Sequence, residues 1–157
     1  MPFKDEQEKG PGVETKPLGR VVALDLGTKR VGVAVCDELR LTVRPLQALP
    51  RTSWKRLLLA VSELCERFDA ESLVIGLPLR LDGTEGDAAQ EARRLARNFG
   101  LSLKIPVHLQ DERLTSKEAE EALREAGYSG SEITDRVDSE AAAIILRDYL
   151  SQTASLL

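Results

Sequence analysis

"VVALDLGTKRVGVAV", residues Val21 to Val35, is an apolar run broken by one acid, two glycines, a threonine and two cations. It predicts strands at Arg20–Leu26 and Val31–Asp37 with "GTKR" as the turn between them, a β-hairpin. Asp25 shares strand parity with Val21 and Ala23, and Gly27 beside it gives close backbone access. An acid in that place is either turn punctuation or is aimed at partners further along the chain.

Outward from the hairpin, a weaker extended stretch covers Arg44–Leu49. "SWKRLLLAVSELCERF" sets Trp54, Leu57, Leu58, Val61, Leu64, Cys65 and Phe68 at helical spacing, one face of an amphipathic helix. "SLVIGLP" reads as a short buried strand closed by Gly76 and Pro78. "DAAQEARRLARNF" reads as a helix with Ala88, Ala92, Leu95, Ala96 and Phe99 inward. "KIPVHL" is a further strand whose Pro106 places its start at an edge or an end. "TSKEAEEALREAG" opens with Thr115 and has Glu118 three residues on, a capping box, and stops at Gly127. A last helix is predicted from about Val137 to Leu150. This order predicts the α/β class: a five-stranded mixed sheet flanked by helices, with an antiparallel hairpin first and helix-linked strands after it. Residues 1–18 mix charge, Gly and Pro without period and read as a mobile tail. Residues 19–150 form the domain, and 151–157 a C-terminal tail.

At 157 residues, 42% hydrophobic and 31% charged, the chain has the length and composition of one soluble domain. No apolar stretch approaches the roughly 20 residues that span a bilayer, so no membrane partner is expected. The charged start "MPFKDEQEKG" lacks a signal peptide's apolar core. Cys36 and Cys65 sit in separate apolar segments without zinc-site spacing and read as reduced packing residues. The cytoplasm is the expected location. A formal net charge of −4 excludes a global positive field of the kind that coats nucleic acid. Local cations remain effective, since only charges within a Debye length act strongly. With 4% aromatic residues there is no platform for stacking successive bases.

Three acids stand where acids are costly. Asp138 opens "VDSEAAAIILRDYL" and shares a helix face with Ala141, Ala142 and Ile145, ahead of a centre that is apolar all round. It is an N-cap or a site residue. In "LQDERLTS", Asp111 and Glu112 follow an apolar strand and precede a helix that already has its cap. Adjacent strand residues point to opposite faces, and Glu112 shares parity with His108 and Gln110. Asp25 is the third. Ends of strands and the start of a helix are where an α/β sheet gathers site residues. Three carboxylates within ~4–5 Å repel by several kcal/mol per pair at moderate effective dielectric, and such a cluster persists when it binds divalent cations. Oxygen-only ligation suits Mg²⁺ or Mn²⁺ over zinc. Two such ions serve phosphodiester hydrolysis. The chain's one histidine, His108, leaves no Ser–His–Asp or Cys–His machinery to compete.

"ALDLGTKRVGVAV", "VIGLPLRLDGTEG", "DERLTS" and "VDSEAAAIIL" together resemble, in order and over residues 19–150, the YqgF/RuvX family of pre-ribosomal-RNA nucleases and Holliday-junction-resolvase-like proteins. The resemblance implies a ribonuclease-H-like fold in the cytoplasm. It also implies a divalent-metal-dependent endonuclease acting at the 5′ end of the small-subunit ribosomal RNA precursor (pre-16S rRNA). The family's catalytic and metal-holding acids fall on Asp25, Glu112 and Asp138. Two departures are visible. Arg80 and Leu81 stand where the family usually has Asn after "GLPL". Ala141 and Ala142 occupy the turn after Asp138, where junction-resolving relatives often carry a fourth acid.

"DLGT" also opens the phosphate-binding hairpin of sugar kinases, actin and chaperone ATPases. Those proteins close two such domains over ATP, and this length supplies one. A non-catalytic ribosome-assembly binder is a third reading, and its sign would be a missing acid; none is missing. Lys29, Arg30, Arg80, Arg113, Lys117 and Arg136 lie in or beside the motifs and as a set would neutralise phosphates around the acidic centre. The partner expected is ribosomal RNA precursor or a structured nucleic acid. The apolar stripes are accounted for by the core, so a monomer or weak homodimer is expected.

Overall fold

The computed structural model describes residues 18–112, 121, 124–127 and 131–154, with the side chains of 131–138 excepted. Five strands form one mixed sheet: β1 (Arg20–Leu26), β2 (Arg30–Cys36), β3 (Val43–Pro50), β4 (Ala70–Leu77) and β5 (Val107–Asp111). Their order across the sheet is β3-β2-β1-β4-β5. β1–β2 and β2–β3 pair antiparallel, whereas β4 runs parallel to both β1 and β5. The hairpin forms as predicted, and its first strand becomes the centre of the sheet.

Strand alternation decides which helix meets which face. Val22, Leu24, Val33, Leu73 and Ile75 point to one side, against α1 (Trp54–Arg67) and α2 (Asp87–Ser102). Ser53 caps α1, its hydroxyl accepting from the Arg56 N–H. Leu57, Val61 and Cys65 are its buried stripe, and Trp54 meets Phe99 of α2 edge-on at 4.8 Å. On α2 the inward stripe is Ala89, Ala92, Leu95 and Phe99. Ala88, expected inward, is exposed. Neighbouring alanines give a sequence pattern little directional signal, and the larger Leu95 and Phe99 set the rotation.

Val21, Ala23, Ala34, Cys36 and Val74 point to the other side, against Ala142, Ala143, Ile145, Leu146 and Leu150 of α3 (Ser131–Ala154). This face is built from small residues, and small residues at the contact set a short helix-to-sheet distance. α3 begins six residues before the predicted Val137, because "SEITDR" is polar enough to hide its helicity. It also runs four residues past Leu150, where Thr153 Oγ1 donates to the Tyr149 carbonyl at 2.9 Å. Thr115 and Glu118 of the predicted capping box lie outside the described residues. Glu121, Arg124 and Glu125 are helical, and Gly127, the predicted stop, has φ +94°.

Among the described residues no helix is long and apolar enough to cross a membrane. The tight α3 face yields an expectation: Ala142→Leu overpacks a fully buried site. It should destabilise the fold by about 1–3 kcal/mol, read as a lower urea midpoint at unchanged m-value.

Candidate active site

Asp25 is the last buried residue of β1, 7% exposed, and its parity with Val21 and Ala23 aims it at the α3 face. Register fixes its neighbours. Ala23 lies level with Val74 and Leu24 with Ile75, so the next step sets Asp25 level with Gly76. Gly76 in turn lies level with Gln110 of β5. Glu112 stands just past the end of β5, held in the ladder by its N–H, which donates to the Leu77 carbonyl at 3.1 Å. β1 and β5 flank β4, so the two acids start about 9.5 Å apart laterally, at roughly 4.8 Å per strand.

Gly76 lets them meet. A Cβ built there would lie 2.6 Å from Glu112 Oε2 and 2.6 Å from Ile145 Cδ1, distances no real side chain tolerates. The Glu112 carboxyl therefore lies across bare β4 backbone, beneath α3, and hydrogen-bonds Asp25. Burial, then the charge of Asp25, then that hydrogen bond, then the charge of Asp111 push the Glu112 carboxyl up to about 10. The close pair therefore favours one shared proton, held in the hydrogen bond between the two carboxyls. Among the described residues, the buried Glu112 Oε2 has no hydrogen-bond partner.

A buried carboxyl oxygen left without a partner beside a second buried carboxyl is a donor set that a hard cation satisfies. Every donor is oxygen, which fits Mg²⁺ or Mn²⁺ and not zinc. Asp25 and Glu112 are two of the three predicted ligands. Asp138, the third, lies on α3, and its side chain is outside the described residues. Its helix neighbours are firmly placed: Ala141 and Ala142 are buried. Ser139 Oγ accepts a long hydrogen bond (3.4 Å) from the Val33 N–H of β2, beside the register shift between Val31 and Val33. Among the described residues, no group of three His, Cys, Asp or Glu stands ready to hold a metal.

The predicted cations are spread around this centre. Lys29 is exposed in the hairpin turn, Arg30 is half-buried at the start of β2, and Arg80 is exposed on the loop after β4. Arg113 and Lys117 lie outside the described residues. Arg136 lies in α3, with its side chain likewise outside. Two contributors were not legible in the chain. Gly76 read as the end of a strand, although a glycine inside a strand is also the signal for close approach by another group. Arg51 drew no reading, since it falls between the extended stretch Arg44–Leu49 and the helix that follows. It donates to the Gly27 carbonyl (2.8 Å) and pairs with Glu91 of α2 (2.9 Å), while its N–H donates to the Lys29 carbonyl (2.9 Å). The hairpin turn beside Asp25 is thus tied to α2. The thiols play no such part: Cys36 Sγ accepts from the Val21 N–H, and burial pushes the Cys65 thiol up to about 11.

Residues 19–152 match the sequence profile of the RuvX family, described as Holliday junction resolvase. A protein of Syntrophus aciditrophicus, provisionally named a pre-16S rRNA nuclease, is 46% identical over 131 residues, 83% of this chain and 87% of its own length. One from Anaeromyxobacter dehalogenans (strain 2CP-1) with the same provisional name is 42% identical over 135 residues, covering 86% and 98%. Among solved structures, Thermus thermophilus RuvC in complex with a Holliday junction substrate superposes with a TM-score of 0.52 at 18% identity, covering 86% of this chain and 96% of that one. Fowlpox virus Holliday junction resolvase gives 0.51 at 12%, covering 85% and 99%. At those identities the likeness is one of fold, and the fold is ribonuclease-H-like.

The site generates two expectations. The folded metal-free protein keeps a Glu112 proton that the unfolded chain releases near pH 4.5. This contribution to stability is whole below about pH 4.5 and declines as pH rises towards about 10, by at most ~1.4 kcal/mol per pH unit. Melting temperature without metal should fall across that range, Mn²⁺ should restore it most at high pH, and Glu112→Gln should flatten the slope. Separately, Gly76→Ala forces either the Glu112 carboxyl or Ile145 aside. Cleavage should drop at least tenfold, and adding Ile145→Val should recover melting temperature without recovering cleavage.

Proposed function

The chain belongs to the RuvX family, and we propose that it is a divalent-metal-dependent endonuclease that trims the 5′ end of pre-16S ribosomal RNA in the cytoplasm. The observation that carries the reading is the Asp25–Glu112 carboxyl pair, whose buried Glu112 Oε2 has no partner among the described residues on the face that α3 covers. Asp25, Glu112 and Asp138 are the residues proposed to hold the metal, two ions in this reading. Bound Mg²⁺ or Mn²⁺ would polarise the scissile phosphate and make a bound water nucleophilic at neutral pH.

The protein's own part is positional and electrostatic. Glu112 would give up its proton if a cation occupied the pair, because the positive charge would offset the repulsion that favours protonation. Asp25 accepts the hydrogen bond until then and holds Glu112 Oε2 in place over Gly76. Lys29, Arg30 and Arg80, with Arg113, Lys117 and Arg136, are proposed to neutralise flanking phosphates. The Arg51 tether holds the turn that carries Lys29.

Junction resolution is the second reading, since the family profile carries that description. It needs two symmetric cuts and hence a paired active site. Ala141 and Ala142, both buried, supply no further carboxylate on the turn after Asp138. We therefore favour single-site RNA cleavage by a monomer or weak homodimer.

Asp25→Asn should abolish cleavage of a pre-16S rRNA fragment in Mn²⁺ while leaving the circular dichroism spectrum unchanged, and EDTA should silence the wild type. Wild-type turnover by Asp25→Asn would return Asp25 to turn punctuation. A four-way DNA junction run beside the RNA separates the two readings: concerted nicking of opposing strands without RNA cleavage would favour resolution. Lys29→Glu should lower the log–log salt slope of RNA binding by about 0.7–0.9 per lost phosphate contact.

A further inference from the structure

The segment between β4 and α2 is built unlike a passive loop. Leu79 and Glu85 form an isolated antiparallel bridge. The Arg80 N–H donates to the Thr84 carbonyl at 2.9 Å, and the Gly83 N–H to the Arg80 carbonyl at 2.8 Å. Asp82 Oδ1 accepts from both the Thr84 N–H (2.9 Å) and the Thr84 hydroxyl (2.6 Å). Gly83 takes φ +85°, which closes the turn. Leu79 packs at the root against the Leu77, Ala89 and Ala92 cluster. The acids here have partners within the hairpin or on α2: Asp82 holds Thr84, and Glu85 pairs with Arg93. At the tip stands Leu81, 70% exposed, a large apolar side chain on a rigid support. The Arg80 guanidinium beside it lies over Gly86.

This hairpin is rooted at the site. Leu77, whose carbonyl accepts the Glu112 N–H, is four residues before Leu81, so the two lie within about 14 Å even at full extension.

We propose that the 79–85 hairpin is a preformed wedge, in which Leu81 inserts against an unstacked base of the RNA next to the scissile linkage and Arg80 takes an adjoining phosphate. The proposal rests on the nuclease reading above and specifies how that site chooses its RNA. Apolar wedges inserted between base steps are a general means of unstacking nucleic acid, and sequence-specific RNA recognition favours bases that can be splayed out. With few aromatic residues to stack on, an aliphatic tip is the means this chain has. The bracing means that little loop entropy is lost when it binds. The specificity that follows is for a place where a duplex opens into a single strand, over a continuous duplex.

The test uses an RNA hairpin with a single-stranded extension, carrying 2-aminopurine at the first unpaired nucleotide. Wild type in Ca²⁺ should bind it and raise the fluorescence as the base unstacks. Leu81→Ala, with an unchanged melting temperature because the side chain is exposed, should lose most of that rise. Its kcat/KM on the same RNA in Mn²⁺ should fall about tenfold, in line with loss of an apolar contact, and Leu81→Met should restore both. Binding with no Leu81-dependent rise overturns the wedge and leaves the nuclease reading standing. Failure of the wild type to bind any RNA removes both. A Leu81-dependent rise without cleavage supports the wedge and removes only the nuclease reading.

Discussion

Two carboxyl groups, one buried and one half-buried, meet above a residue with no side chain, and most of the architecture around them can be derived from that crowding. Bringing Asp25 and Glu112 together from strands on either side of β4 requires bare backbone between them, which Gly76 supplies. It requires a long acid at the edge, and Glu112 stands there, one residue after Asp111. It also requires a lid that excludes water without pushing the pair apart. The alanines of α3 and the Cδ1 of Ile145 meet that requirement. Without a cation the pair is tolerated through the raised pKa of Glu112, at a cost in stability that grows with pH. Such a cost is worth retaining where function uses the pair.

The same crowding accounts for how charge is distributed. A chain with a net charge of −4 cannot draw polyanions by its overall field, so attraction has to come from cations close to the acids. Lys29 and Arg80 sit on the two turns that follow the central strands β1 and β4, both at the end of the sheet where the acids lie. Neither turn is loose. Arg51 ties one to α2, and the Asp82–Thr84 bonds close the other.

Much of this could be read from the chain. Strict alternation around "GTKR" revealed the hairpin, and strand parity set Asp25 with Val21 and Ala23, and Glu112 with His108 and Gln110. Residues whose role is written in what they lack were harder. Gly76 matters because nothing projects from it, and a pattern of apolar residues records presence, not absence. Ala88 and Ala89 look alike to any periodicity, so only the packing of Leu95 and Phe99 could choose between them. The first turns of α3 are polar and gave no apolar signal. Arg51 acts through contacts with Gly27 and Glu91, 24 and 40 residues away, and no local motif encodes those. Asp138 was visible as an acid at the head of a buried stripe, and the helix that carries it packs as that pattern required.

β5 is five residues long and forms an edge of the sheet, and Glu112 hangs beyond its last residue by a single ladder bond. Edge strands open before centres do, at a free energy well below that of global unfolding. The meeting of the two carboxyls therefore depends on one corner of the sheet, whereas Asp25 itself sits on the central strand. A ligand that engages both acids would tie that corner down, and it would register as slowed amide exchange along β5 with the centre of the sheet unmoved. One acid of the pair thus belongs to the centre of the sheet and the other to its edge.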